Sequence, residues 1–259
     1  MTISLTEQEA IVVGGANGIG WAIAKAFLES GAAVTILDRD KEALQRVQNE
    51  TPDRLTTIEV DITDGEEMTR LAKSLRVDHL VCAAAIGSGK NGFPFWSLAP
   101  HDWKQVIDVT LMGTVNAVHA FAPRLLEGET SRKSILLLSS VAGQIGSQTD
   151  PPYSACKAAI INFAQCAAKD FAPYGVRVNA LSPGMVKTDL NESVFEASEE
   201  ASSQTYEEWA AEKISRISPL GRWQEVDEFG AMAVFLASES GRNITGQTLN
   251  IDGGQVMHS

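Results

Sequence analysis

Short apolar runs and amphipathic segments alternate along nearly the whole chain, and this alternation restricts the fold more than any other feature. Runs at Ala10–Val13, Ala33–Asp38, Thr57–Val60, His79–Ala83, Ser134–Ser139, Val176–Leu181 and Thr248–Ile251 read as strands. Several are apolar at successive positions, as expected of strands covered on both faces. Between them, Gly18–Ser30, Lys41–Asn49, Gly65–Ser74, His101–Leu126, Pro152–Phe171 and Glu225–Ala237 read as helices. Strands alternating with helices predict an α/β protein built on a doubly wound parallel sheet. At 259 residues the chain is long enough for one well-buried domain covering residues 1–259.

The first strand runs into VGGANGIG, where Gly14, Gly18 and Gly20 lead directly into a helix. A glycine-rich turn before a helix offers free backbone N–H groups and the positive end of the helix dipole to a phosphate. Glycine also permits a pyrophosphate to approach the backbone closely. Asp38 ends the second strand, eighteen residues beyond Gly20, where a carboxylate accepts hydrogen bonds from an adenosine ribose. A carboxylate there repels a 2′-phosphate, and Asn17 in the turn is not basic, so NAD is expected over NADP. Arg39 is the counter-argument, because a guanidinium can hold that phosphate. Asp61, after the third strand, is placed either to meet the adenine or to cap the next helix.

Tyr153 and Lys157 stand four apart in PPYSACKAA, with Ser140 thirteen residues upstream of the tyrosine. On a helix such a pair shares one face. A fixed ammonium favours phenolate over phenol and is expected to lower the tyrosine pKa from about 10. That change suits a general acid/base. Three tyrosines among ten lysines produce this spacing by chance in roughly one such chain in ten, so its surroundings must support it.

A formal net charge of −12 argues against nucleic acid and anionic membrane surfaces as partners. No run approaches the roughly eighteen apolar residues of a membrane span, and the start does not read as a secretory signal. Cys82, Cys156 and Cys166 lack disulfide or metal spacing and read as buried reduced thiols of a cytoplasmic protein. His101 and His119 are expected at the surface or in packing, with no metal site. Residues 189–218 break the strand–helix alternation with an acidic, aromatic-bearing stretch that reads as a helical insertion. Its two readings are a substrate-covering lid and a solvated helix pair.

The G-x3-G-x-G turn, the acidic end of strand two, Ser140 before Tyr153-x3-Lys157, SPGMVKT after strand six and the closing GQTLNIDGG together resemble the short-chain dehydrogenase/reductase family. The resemblance runs from about Ala10 to Gly254. It implies a single Rossmann-like domain of seven parallel strands, commonly assembled as a homotetramer. It implies Tyr153 as general acid/base, Ser140 as holder of the substrate oxygen, and Lys157 as the group that tunes the tyrosine and binds the nicotinamide ribose. It further implies cofactor contacts from Gly14, Asn17, Gly18, Ile19 and Gly20 in the turn, Asp38 and Arg39 after strand two, and Asp61 and Ile62 after strand three. Ala84, Pro183, Gly184, Val186 and Thr188 would complete the cofactor site. Ser139 is expected to be structural.

Three positions depart from the family pattern. Val13 stands where threonine is usual, and Cys82-Ala83-Ala84-Ala85 stands for Asn-Asn-Ala-Gly. Losing both polar sides together can be nearly neutral, which reads as apolar repacking. Thr110 stands for an asparagine that supports a proton-relay water, and Thr110 is carried as a relay candidate. The expected activity is that of an NAD(P)-dependent dehydrogenase/reductase acting on CH–OH donors, interconverting a secondary alcohol (polyol, sugar or ring alcohol) and a ketone. An NADPH-dependent 3-oxoacyl thioester reductase and a catalytically impaired dinucleotide-binding regulator are the alternatives. Segments 86–96, 144–150 and 189–218 are expected to line the substrate, with Ser88, Asn91, Phe93, Phe95, Trp96, Gln144 and Gln148 as candidates.

Overall fold

The computed structural model describes residues 3–51, 53–90, 94–128, 132–146, 150–196 and 198–257. Seven parallel strands form one sheet: β1 (Glu9–Val13), β2 (Ala33–Asp38), β3 (Leu55–Glu59), β4 (His79–Cys82), β5 (Ser134–Leu138), β6 (Arg177–Pro183) and β7 (Thr248–Ile251). Their spatial order is β3-β2-β1-β4-β5-β6-β7. Val13 is in register with both Leu37 and Cys82, and Leu138 with Leu181. Because every strand points the same way, the residues that follow each one gather along a single rim. The order reverses at β1, and the crevice between β1 and β4 is where open α/β sheets bind ligands.

Helices cover both faces. On one side α1 (Gly18–Glu29), α2 (Lys41–Glu50) and α9 (Val226–Ala237) bury Ile23, Phe27, Val47, Phe229 and Ala233 against Val12, Ile36 and Val81. On the other, α3 (Gly65–Ala72), α5 (Gly113–Leu125) and α6 (Pro151–Phe171) bury Met68, Phe121, Ile160 and Ala164 against Ile11, Leu80 and Ile135. Burial on both faces explains why strands such as β5, SILLL, are apolar at successive positions. Side-chain caps fix where helices begin: Asp40 accepts from the Ala43 N–H at 3.0 Å and Asp64 from the Glu67 N–H at 2.9 Å. Asp64 therefore caps α3, which removes that reading of Asp61.

Most expected boundaries hold within two residues. The long fourth helix differs: it comprises α4 (Pro100–Val106), a π-helical stretch at Ile107–Met112, and α5. The whole of Pro100–Leu125 has the length and apolar composition of a membrane crossing, against the sequence expectation. It nevertheless packs inside the fold, against α3 and α6, with Ala117 and Phe121 fully buried. Cys82 and Cys156 are buried as expected, whereas Cys166 is exposed on α6.

The 189–218 stretch forms α7 (Asp189–Glu196) and α8 (Tyr206–Ile217). It carries a small core of its own, with Trp209, Ala210 and Ile214 buried beside Met185, and Phe195, Tyr206 and Trp223 packed around them. The Phe195 ring lies 5.7 Å from Tyr206 and 5.4 Å from Trp209, so aromatic packing joins α7 to α8.

Candidate active site

A cleft of about 450 Å³ opens along the C-terminal rim of the sheet. Its wall includes every residue expected at the cofactor: Gly14, Asn17, Gly18, Ile19, Gly20, Asp38, Arg39, Asp61, Ile62, Ala84, Pro183, Gly184, Val186 and Thr188, together with Ser140, Tyr153 and Lys157. Gly14 has φ +74°, and a Cβ there would fall 2.4 Å from the Ala84 nitrogen. A Cβ on Gly20 would lie 2.0 Å from the Gly14 carbonyl oxygen. Both glycines are thus required by backbone packing, and α1 starts at Gly18 with no side chain capping it from Asn17. Its first N–H groups are left available to an anion. An open helix start on a close-packed glycine turn, with Asp38 beside it, fits a dinucleotide pyrophosphate and ribose.

Asp38 also has structural duties. Its Oδ2 accepts from the Ala16 N–H at 3.0 Å and its Oδ1 from the Asp40 N–H at 3.1 Å. Arg46, which sequence reasoning missed, donates to the Ala16 carbonyl at 2.8 Å and to Asn17 Oδ1 at 2.6 Å. Nothing in the local spacing of α2 marks Arg46, because the contact spans the β1–α1 turn. Asp61 holds a tight turn instead of a helix start, accepting from the Thr63 N–H and hydroxyl at 2.8 Å each. Those bonds keep its carboxyl below the usual range.

At the other end of the cleft α6 presents Tyr153 and Lys157 on one face, with the ammonium 5.3 Å from the phenol ring centroid. The phenol hydrogen-bonds with the Ser140 hydroxyl, which itself accepts from the Ala142 N–H at 3.1 Å. Lys157 Nζ donates to the Leu138 carbonyl at 2.6 Å. Ser139 is structural, as expected: its hydroxyl donates to the Lys157 carbonyl at 2.8 Å and ties β5 to α6.

Burial, and not the ammonium, governs the protonation of this pair. It pushes the Tyr153 phenol up to about 12, the Ser140 bond opposing and the Asp150 carboxylate adding to the rise. The same burial pulls the Lys157 ammonium down to about 8. Against the expectation, the loss of water outweighs any lowering of the tyrosine by Lys157. Both groups lose water on folding, and the lysine's hydrogen bond is spent on a strand carbonyl.

Asp150 ends the expected 144–150 lining segment and does border the cleft, but its role at the start of α6 was not marked. It caps α6 through the Tyr153 N–H at 3.4 Å, and its Oδ2 accepts from the Ser88 N–H at 2.7 Å. It borders the cleft, and burial raises its carboxyl against those hydrogen bonds. A Cβ on Gly87 would fall 2.7 Å from the same Oδ2. The signal was present, since Asp before Pro-Pro at a helix start is a strong cap, but its link to residue 88 is long-range.

Thr110 is not brought into the cleft. It is fully buried in the π-helical stretch, where its hydroxyl donates to the Ile86 carbonyl at 3.2 Å and accepts from the Ile86 N–H at 3.1 Å. Its carbonyl accepts from the Thr114 hydroxyl at 2.8 Å. The substrate-lining expectations also need correction. Phe95 and Trp96 project into solvent, and Gln144 is committed to a reciprocal pair of 2.8 Å hydrogen bonds with Asn250. Ser88 contributes its backbone to Asp150, while Asn91, Phe93 and Gln148 lie outside the described residues. Ile86, Gly87, Ile145, Asn191, Val194, Lys213 and Ile217 border the cleft from the three segments. His101 and His119 are exposed, and no metal-ligand cluster occurs among the described residues.

Sheet order, glycine turn and rim cleft define a dinucleotide-binding α/β protein. A family model described as enoyl-(acyl carrier protein) reductase matches residues 14–256. The chain belongs to the short-chain dehydrogenase/reductase family: it is an oxidoreductase of the group that binds a nicotinamide dinucleotide. It is 31% identical to a 3-oxoacyl-[acyl-carrier-protein] reductase of Thermotoga maritima, covering 98% of this chain and 99% of that one. It is 34% identical to L-fucose dehydrogenase of Bos taurus, over 95% and 88% of the two chains. A solved 3-oxoacyl-[acyl-carrier protein] reductase with bound NAD from Brucella melitensis superposes with a TM-score of 0.84, at 32% identity over 98% and 93%.

Proposed function

We propose that the protein is an NAD(H)-dependent oxidoreductase that interconverts a secondary alcohol and a ketone, with Tyr153 as its acid/base. The observation that carries this reading is the half-buried phenol of Tyr153, hydrogen-bonded to Ser140 with Lys157 beside it on the same helix face. Similarity to the bovine L-fucose dehydrogenase supports a polyol, sugar or ring alcohol as substrate. A nicotinamide bound in the cleft supplies the hydride acceptor or donor. In oxidation Tyr153 Oη takes the hydroxyl proton, and in reduction it returns one to the carbonyl oxygen. Ser140 Oγ donates to that oxygen, and the Lys157 charge stabilises the phenolate. Asp38 favours NAD, because a 2′-phosphate would meet its carboxylate. The insertion at about 189–218 serves as a helical lid, and the active species is a cytoplasmic homo-oligomer, a tetramer or dimer.

A 3-oxoacyl thioester reductase using NADPH is the second reading. Similarity to the Thermotoga maritima reductase and the guanidinium of Arg39 beside Asp38 favour it. A panel of alcohols, ketones and a 3-oxoacyl thioester, each run with both cofactors, separates the two. Tyr153→Phe is expected to lower kcat by about 10²–10⁴-fold while cofactor affinity stays within a factor of about three. Undiminished turnover in that variant overturns the assignment of Tyr153.

A further inference from the structure

The insertion turns one cation inward. Along α8, Glu207, Glu208, Glu212 and Arg216 face solvent, while Trp209, Ala210 and Ile214 are buried. Lys213, one helical turn beyond Trp209, is half-buried and borders the cleft. Its Nζ lies 4.3 Å from the Trp209 ring centroid. A cation held over an indole face gains a directional attraction that fixes where its charge sits. Trp209 is itself fixed by Phe195 and Tyr206, so the ammonium rests on a rigid platform.

Neighbouring cations are committed elsewhere. Arg216 pairs with Glu212 at 3.7 Å and Lys187 with Glu207 at 3.6 Å, all four side chains largely exposed. The cleft's other charges stand elsewhere along it. Asp38, Arg39 and Asp61 stand after β2 and β3 at the adenosine end, and Asp150 and Lys157 flank Tyr153 on α6. An ammonium kept out of water costs free energy unless an anion meets it. Burial lowers the Lys213 ammonium, and among the described residues the Glu200 carboxylate opposes that fall.

We propose that Lys213 is the binding contact for a carboxylate carried by the substrate, so that the enzyme acts on alcohols bearing an acid group at a second carbon and on the matching oxo acids. This rests on the alcohol–ketone reading and narrows its substrate class. The two walls also set the orientation. At the reacting end the Asp150 carboxylate offsets the attraction of the Lys157 ammonium for an anion, whereas Lys213 attracts it toward α8 with no carboxylate lining the cleft beside it. The carbinol carbon therefore meets Ser140 and Tyr153 while the acid group points at α8.

The test uses hydroxy acids paired with their primary amides (lactate and lactamide, 3-hydroxybutyrate and 3-hydroxybutyramide, an aldonate and its amide), oxidised by the full chain at saturating NAD⁺. The wild type is expected to prefer the acid of the accepted pair by at least about tenfold in kcat/KM, as for a charge-assisted hydrogen bond. Lys213→Gln should bring that ratio near one, and Lys213→Arg should keep most of it. Equal loss on acid and amide in Lys213→Gln would mean that the lysine only packs the lid, and the proposal falls. It falls equally if alcohols are oxidised with no acid preference, which leaves the alcohol–ketone reading standing. A matching rise in the Kd for NADH in Lys213→Gln would make the lysine a cofactor contact and overturn the proposal. Calorimetric titration with malonate, which has no hydroxyl to oxidise, gives a readout independent of turnover. Malonate binding lost in Lys213→Gln supports the carboxylate site even if no alcohol in the panel reacts, in which case the alcohol–ketone reading alone fails.

Discussion

Burial and two neighbours act on Tyr153 in opposing directions: burial raises its pKa, the Ser140 hydroxyl lowers it, and the Asp150 carboxylate raises it again. With the phenol raised to about 12, the base form needed for oxidation is scarce at neutral pH. Oxidation should therefore speed up as pH rises above 7, while ketone reduction, which uses the phenol, should not. Asp150→Asn removes a negative charge yet keeps an oxygen for the α6 cap. Its rising limb for oxidation is expected at lower pH than in the wild type, measured as kcat/KM across pH. An unmoved limb contradicts an electrostatic role for Asp150. The pair Tyr153–Lys157 was legible because four-residue spacing fixes a helix face. Its resting protonation was not, because burial is a property of the assembled fold and α6 alone does not reveal it.

At the scale of elements, central strands such as β1, β4 and β5 were legible because double-sided burial writes them as apolar runs. The π-helical stretch at Ile107–Met112 was not, since it goes with a long-range clasp between Thr110 and the Ile86 backbone that local spacing does not reveal. β4 begins with His79, fully buried between Ser134 at 2.9 Å and Gln8 at 2.6 Å. Burial lowers its pKa from 6.5 to about 3. The unfolded chain takes up this proton below about 6.5 and the folded one only near 3, so stability is lost as pH falls through that window. The loss is about 1.4 kcal/mol per pH unit for one proton. Urea midpoints between about pH 6 and 5 should fall less steeply in His79→Gln, and equal slopes would contradict the assignment. β6 begins with Arg177, whose guanidinium donates to the carbonyls of Leu236, Ala237 and Gly241 and so closes the end of α9. Arg177→Met strands these buried acceptors and should cost roughly 2–4 kcal/mol in denaturant unfolding.

For the molecule as a whole, parallel topology brings residues as distant as Gly14, Asp38, Ser140, Tyr153 and Thr188 to one rim, and the motif order along the chain was enough to place them there. What motif order could not supply is the inward side of the 189–218 insertion, because α7 and α8 are amphipathic around a separate aromatic core. Cofactor choice also belongs to this scale, since it depends on how β2 meets the glycine turn. Asp38→Ser should raise the NADPH-to-NADH ratio of kcat/KM by about tenfold or more by removing a like charge. The most direct test of the whole account is steady-state turnover of wild type and Tyr153→Phe across an alcohol and ketone panel with NAD(H) and NADP(H), followed by absorbance of the reduced nicotinamide. The expected result is turnover of a secondary alcohol and its ketone that favours NAD(H) and collapses in Tyr153→Phe while NADH still binds. Turnover of a 3-oxoacyl thioester with NADPH alone, or turnover that survives in Tyr153→Phe, would contradict it.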